Sequence, residues 1–443
     1  MKRHEKYKDS GLEWLGKVPD YWESWKISHA FTKIGSGTTP QSGNPIYHEN
    51  GTINWLNTGD LNDGVLYSCA KKITPKAIED NSSLKLYPKG SLVIAMYGAT
   101  IGKTALLQFE TTTNQACCVF SESDIIDIQF LQYWFKGNKE HILNLAIGGG
   151  QPNISQDILK GIRLYCPNKE EQTLIANYLN HKTAQLDTLI AKKEQLINLL
   201  QEERTAMINQ AVTKGLDPNV AMKDSGIEWL GDIPEHWNVV KVKHFTEKIG
   251  SGVTPRGGAE VYQETGVPLL RSQNIYFDRF KIDNVAFISE EIHNSMNNSK
   301  VFKGDVLLNI TGGSIGRCFY LTDEFKEANV NQHVCIVRPN ENIVTEYLHL
   351  LLSSDGGQIQ ISLCQQGGNR EALNFEQLKN FPFALPNIEE QLRIIDGVHE
   401  SNKRMSSIIE KSQQEIDLLK EYKTALISEV VTGKVDVREA ILN

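Results

Sequence analysis

Two stretches, PNKEEQTLIANYLNHKTAQLDTLIAKKEQLINLLQEERTAMINQAVTKG (167–215) and PNIEEQLRIIDGVHESNKRMSSIIEKSQQEIDLLKEYKTALISEVVTGK (386–434), decide how this chain folds. Each opens on Pro-Asn-x-Glu-Glu-Gln and closes on Val-Thr with Gly and Lys, and Gly397 is the one glycine inside either. At an offset of 219 the apolar pairs Ile190/Ile409, Ile197/Ile416, Leu200/Leu419, Met207/Leu426 and Ala211/Val430 recur at coiled-coil spacing. A proline before and a glycine after mark start and stop. Lys193/Ser412 and Arg204/Lys423 interrupt the seam with polar groups. Such helices either lie on the surface of their own domains or pair with each other, and the matching seams favour pairing.

The rest of the chain is also written twice. KDSGLEWLGKVPDYWESWKI (8–27) aligns with KDSGIEWLGDIPEHWNVVKV (223–242), and KIGSGTTP (33–40) with KIGSGVTP (248–255). Lys89-Gly90 matches Lys303-Gly304, GATIGK (98–103) matches GGSIGR (312–317), and Asn114-Gln115 matches Asn331-Gln332. Gly148-Gly149-Gly150-Gln151 matches Gly367-Gly368-Asn369-Arg370. Between these anchors, 41–88 and 256–302 share little beyond spacing.

The order is therefore globular unit (1–168), helix (169–214), globular unit (215–387), helix and tail (388–436). SLVIAMYG, DVLLNITG, ACCVF and HVCIVRP read as buried strands, DIQFLQYWFKG and VTEYLHLLLSS as helical. The fold class is α+β mixed: two tandem globular α/β domains joined by two long antiparallel coiled-coil helices about a pseudo-twofold axis. Antiparallel pairing follows because the first helix leads straight into the second unit and the second helix leaves that unit's far end. A helix of about 40 residues spans roughly 60 Å.

Composition excludes several classes. At 443 residues, 40% hydrophobic and 23% charged, the chain is long enough for two or three full cores. MKRHEKYKDSGLEW lacks a signal-peptide core, no apolar span approaches membrane length, and the seven cysteines form no CxxC pair. A reduced cytoplasmic protein is expected, with no membrane role. The net charge of −8, and 15 basic against 21 acidic side chains over 215–387, mean that any DNA surface is a local patch or is completed by a partner.

Catalytic motifs fail on spacing. Gly98-Ala99-Thr100-Ile101-Gly102-Lys103-Thr104 has three residues between its glycines where a P-loop has four, and the second copy carries Arg317-Cys318 in place of Lys103-Thr104. A tight turn between strands is expected, with Lys103 and Arg317 each able to touch a DNA phosphate. Asn44-Pro45-Ile46-Tyr47 resembles a methyltransferase motif, but its copy is Ala259-Glu260-Val261-Tyr262 and no glycine-rich cofactor fingerprint precedes it. No carboxylate cluster repeats, so no metal-dependent nuclease centre is signalled. No catalytic residue, cofactor or metal site is assigned to this chain.

What does recur is loops rich in small and amide side chains, which suit approach to a duplex and readout of base edges. In the first unit the DNA-binding candidates are Ser36, Thr38, Thr39, Gln41, Asn57, Thr58, Lys103, Asn114, Gln151 and Asn153. In the second they are Ser251, Thr254, Arg256, Arg271, Gln273, Asn274, Arg317, Asn331, Asn369 and Arg370. Trp14, Trp22, Trp229 and Trp237 are expected to be buried anchors more than stacking platforms.

The chain resembles the specificity (S) subunits of type I restriction-modification systems. The resemblance rests on Asp9-Ser10-Gly11-x-Glu13-Trp14-Leu15-Gly16-x-x-Pro19 with its copy at 224–234, Gly-Ser-Gly-x-Thr-Pro at 35–40 and 250–255, the Glu-Gln helix openings and the duplication itself. It implies two target-recognition domains, each reading half of a bipartite asymmetric DNA site, with the helices as a spacer. It also implies two modification subunits carrying S-adenosylmethionine and methylating adenine, and two ATP- and Mg-dependent restriction subunits. A different class remains open: a non-enzymatic coiled-coil adaptor with two protein-binding heads.

Overall fold

The computed structural model describes residues 2–148, 152–323, 325, 327–365 and 372–440. Contacts divide the chain into one unit of Met1–Glu194 with Gln413–Asn443 and a second of Gln195–Ser412. The two long helices, Lys169–Lys214 and Ile388–Val431, each contribute to both units. The mixed α+β character expected from the sequence is present in both. Among the described residues no helix is long and apolar enough to cross a membrane.

The repeated opening of each long helix has a physical reason at every position. Asn168 and Asn387 are N-caps, whose side-chain oxygens accept from the Glu171 and Glu390 amides at 2.9 Å in both cases. The glutamates of the first turn face the positive end of the helix dipole. The glutamine that follows is a joint. Gln172 and Gln391 are fully buried. Gln172 Nε2 donates to the Pro167 and Ile125 carbonyls (2.8 and 3.0 Å) while its Oε1 accepts from the Asp127 amide at 2.8 Å. Gln391 repeats this with Pro386 (3.0 Å), Asn342 (3.1 Å) and the Val344 amide (2.8 Å). Asp127 and Val344 are the N-caps of the short helices Ile128–Gly137 and Thr345–Ser353, so one side chain fastens each long helix to a short one. Gly215 (φ +76°) and Gly433 (φ +71°) stop the long helices in the left-handed region that side chains avoid.

In the first unit a five-stranded sheet runs Lys33–Gly35, Cys117–Ser121, Leu92–Ala95, Thr104–Leu107, Val65–Leu66, antiparallel except for the last pair. Thr112–Thr113 pairs in parallel with Ile53–Leu56 in a small second sheet. The second unit has Thr246–Ser251, Val334–Pro339, Val306–Asn309 and Cys318–Tyr320 in one sheet, with Ala328–Val330 parallel to Val267–Leu270 in the other. The P-loop-like stretches form turns between antiparallel strands, each with a short 3-10 segment, Gly98–Thr100 and Gly312–Ser314. Trp22 and Trp237 are fully buried, against Gly433 and Gly215 respectively. Trp14 is more exposed and stacks on His141 with ring centroids 3.9 Å apart.

Inside each unit the helix segments run antiparallel. In the first, Lys423 binds both Asp187 oxygens (2.6 and 2.7 Å) and Lys193 pairs with Glu415, so numbering rises along one helix as it falls along the other. Two of the polar seam positions are thus ion-paired. In the second, Gly215 lies beside Glu390, whereas Gln201 and Arg204 share a cleft with Val398 and Asn402. The chain's end also closes the first core: Leu426, Val430, Val435 and Val437 pack with Trp22 and Phe130. Asp436 sits between Arg438 and His4, and the Arg438 guanidinium holds its carboxyl down at about 2.

Replacing Gln391 by methionine keeps the volume but leaves the buried Pro386 carbonyl and the part-buried Val344 amide and Asn342 carbonyl without this partner. Each costs roughly 1–3 kcal/mol, so Gln391→Met is expected to lower Tm sharply in thermal melting, with Gln172→Met doing the same for the first unit. An unchanged Tm would show that the amide does not carry the joint.

Candidate nucleic-acid interface

The Gly-Ser-Gly-x-Thr-Pro repeat is a clamp between the two sheets of each unit. A Cβ on Gly37 would lie 1.7 Å from the Thr113 carbonyl oxygen, and one on Gly252 would lie 1.8 Å from that of Val330. Only glycine allows this approach. The Gly37 amide then donates to Thr113 Oγ1 at 3.0 Å. Two residues on, Thr39 donates to Gln115 Oε1 at 2.7 Å, and Thr254 makes the same bond to Gln332. The repeated Gln after Asn114 and Asn331 is therefore the clamp's other half. The repeat itself carried that signal, although only the asparagines were singled out from the sequence.

Around this clamp the first unit gathers several predicted residues. The Trp55 indole donates to the Thr38 carbonyl (3.2 Å) and the Asn114 amide to Asn57 Oδ1 (3.2 Å). Thr58 opens the 3-10 turn that Asn57 caps, and the Ser36 carbonyl accepts from Tyr87. The Met96 amide donates to the Ala116 carbonyl (2.8 Å) and the Gly98 amide to that of Pro152 (3.1 Å), which sets Asn153 beside the exposed Tyr97. Gln41 is exposed just beyond the clamp, and Lys103 is half-buried at the end of the turn.

The second unit uses the same frame with different side chains. Arg271 takes the place of Asn57: its backbone amide donates to Asn274 Oδ1 (3.0 Å) and its guanidinium reaches the Asn284 carbonyl (2.9 Å) and the Tyr262 ring (5.4 Å). Arg317 and Arg279 both lie against the Tyr276 ring, at 4.9 and 5.5 Å from its centre. Arg279 is also paired with Asp278 at 2.8 Å, which leaves Arg271 and Arg317 as the cations of this group without a carboxylate partner among the described residues, in a unit whose globular sequence is net acidic. Tyr276 and Arg279 fall in the divergent stretch, where no repeat could flag them. Gln332 Nε2 donates to His333 Nε2 (3.0 Å), which leaves Nδ1–H to donate to Thr311 Oγ1 (2.7 Å). Ser251 ends its strand, and Arg256 and Gln273 are exposed.

Four predicted amides are committed to the fold: Asn57 Nδ2 donates to the Trp55 carbonyl (3.1 Å) while its Oδ1 accepts from Asn114, whose own Oδ1 accepts from the Ala116 amide (3.1 Å). Asn274 is buried, with Oδ1 on Arg271 and Nδ2 on the Lys281 carbonyl at 2.9 Å. Asn331 is buried with its Oδ1 accepting from the His333 amide at 3.1 Å. Gln151, Asn369 and Arg370 lie outside the described residues. Among the described residues no three His, Cys, Asp or Glu side chains are grouped to hold a metal ion.

Gly252→Ala is expected to destabilise the protein by roughly 1–3 kcal/mol through overpacking against backbone, whereas Gly250→Ala, with nothing within 4 Å of its Cβ, should cost under about 1 kcal/mol. Urea unfolding separates the two, and equal midpoints would show that the close approach is not required.

Comparison with known proteins places this geometry. The chain is 26% identical over 428 residues, 95% of each chain, to the type I restriction enzyme MjaVIII specificity subunit of Methanocaldococcus jannaschii. It is 27% identical over 327 residues to the EcoBI specificity subunit of Escherichia coli, covering 71% of this chain and 67% of that one. Two solved structures share the fold. One chain, from work on complex assembly and conformational transition of the type I R-M system, matches with TM-score 0.73 at 13% identity over 94% of this chain and 99% of its own. The HsdS subunit from Thermoanaerobacter tengcongensis matches with TM-score 0.59 at 14% identity over 96% and 100%. The type I restriction modification DNA specificity domain matches twice, over residues 19–199 and 234–418, and the chain belongs to that family of specificity subunits.

Proposed function

We propose that this chain reads a bipartite, asymmetric DNA site for a type I restriction-modification complex, one unit per half-site. The two long helices set the gap between the halves. The observation that carries this reading is the pair of matching clamps, each with its close-approach glycine and its threonine–glutamine bond, set beside different side chains: Gln41, Thr58 and Asn153 in one unit, Arg271, Gln273, Arg279 and Arg317 in the other. Amides suit adenine and arginines suit guanine or phosphate, each well-placed bidentate pair being worth about 1–3 kcal/mol of discrimination. Half-site centres about one helical turn apart match two readers held on a common spacer.

Two modification subunits, carrying S-adenosylmethionine, dock on this chain and methylate adenine; two ATP-dependent restriction subunits complete the complex. This chain supplies recognition and no catalytic group. Docking is supported by apolar side chains left facing solvent along the helices, Leu189, Leu418 and Tyr422 in the first unit and Leu196, Leu199 and Ile408 in the second. Closure of those subunits around DNA also supplies phosphate contacts that a chain of net charge −8 lacks.

The test is methylation of random-sequence DNA by this chain reconstituted with its modification subunits. The expected product is one two-part consensus with a fixed gap. Methylation without sequence preference, or an assembled and active methyltransferase that leaves the DNA unmodified, would overturn the proposal.

A further inference from the structure

The matched joints of the two units put their side chains in exact correspondence. Because Gln172 and Gln391 each receive the N-cap amide of a short helix, Tyr133 corresponds to Leu350, Lys136 to Ser353, Asn180 to His399 and Thr183 to Asn402. A second bond checks the register: Gln132 Nε2 donates to the Gly64 carbonyl at 3.1 Å, and its counterpart His349 donates to the Phe277 carbonyl at 3.0 Å. Burial pushes the His349 imidazole down to about 4, which keeps it neutral.

In the first unit the space between short and long helix is filled. The Tyr133 hydroxyl donates to Asn180 Oδ1 at 2.8 Å and lies 3.2 Å from Thr183 Oγ1. The Lys136 ammonium lies over the Tyr133 ring at 5.1 Å. Across the helix pair, Lys423 is neutralised by Asp187.

In the second unit the corresponding groups are cut back. Leucine replaces the phenol, serine replaces the lysine, and Ser406 stands where Asp187 would pair the incoming cation. The result is a cleft of about 890 Å³, within the usual range for small-molecule sites. Phe277, Phe319 and Tyr320 line it, together with Arg204, His399 and Asn402, and its two carboxylates are engaged, Asp278 by Arg279 at 2.8 Å and Glu346 by the Tyr320 hydroxyl. Among the described residues Arg204, the counterpart of Lys423, has no carboxylate partner. Asn402 lines the cleft, and its Oδ1 is shielded from solvent with no hydrogen-bond partner.

We propose that this cleft binds a small aromatic hydroxy acid, whose ring takes the place of the missing phenol, whose hydroxyl donates to Asn402 or His399, and whose anionic group pairs with Arg204. The first unit supplies the template, because its own Tyr133 makes the corresponding bond. The single-ring probe 4-hydroxyphenylacetate carries all three features.

Calorimetric titration of 4-hydroxyphenylacetate into the full chain should show one saturable site with Kd below about 1 mM. Phenylacetate, lacking the hydroxyl, and p-cresol, lacking the carboxylate, should each bind about tenfold more weakly. Leu350→Tyr refills the ring space and Arg204→Gln removes the cation, and each should weaken the probe at least about tenfold. Circular dichroism reports whether Leu350→Tyr folds, and Arg204→Gln, a conservative change on a long helix, gives a reading independent of it. No saturable heat up to about 10 mM probe, or unchanged affinity in Arg204→Gln and in folded Leu350→Tyr, would overturn the proposal.

Discussion

One buried amide per unit sets the geometry on which everything else depends. Gln172 and Gln391 each gather three backbone groups that no regular hydrogen-bond ladder serves: a carbonyl before the long helix, a carbonyl in a loop, and the N-cap amide of a short helix. A polar side chain is tolerated in a core only when such groups satisfy it. In return, the long helix cannot slide or turn against its unit without breaking the three hydrogen bonds of a fully buried side chain. Each joint fixes its long helix to its unit, which is what the proposed spacer requires.

The duplication then lets each unit diverge without losing its frame. Both clamps keep their glycine and their threonine–glutamine bond, while the capped turn next to them carries Asn57 in one unit and Arg271 in the other. Elsewhere the exchanges come in compensating pairs. Ser91 and Ser121 share a hydroxyl hydrogen bond at 2.6 Å, and the second unit has Asp305 and Arg338 there, bonded bidentately at 2.7 and 2.8 Å. Either pair closes a strand end without leaving a buried polar group unpaired. The space around Leu350 is different, because a ring and a cation were lost with no compensating partner, and a cleft took their place.

Much of this was legible in the sequence, where residue type alone carries the physics. Local signals named the helix starts, the glycine stops and the strand pairs around the P-loop-like turns. What a single sequence could not reveal was long-range partnership. The reason for Gly37 lies at Thr113, and the half-buried Lys193 and Lys423 in the helix seam find Glu415 and Asp187 far away in sequence. The candidate amides divide for the same reason. Asn153 is exposed beside Tyr97, whereas Asn57, Asn114, Asn274 and Asn331 spend their amides on neighbouring groups. Arg279 and Tyr276 lie in a divergent stretch, where spacing carries no information.

If recognition resides in the units and spacing in the helices, the two must be separable. The direct measurement is to insert about one helical turn after Leu196 and map methylated sites with the reconstituted complex. The account predicts that the gap between half-sites changes while the bases of both halves stay the same. An unchanged gap, or altered half-site bases, would contradict it.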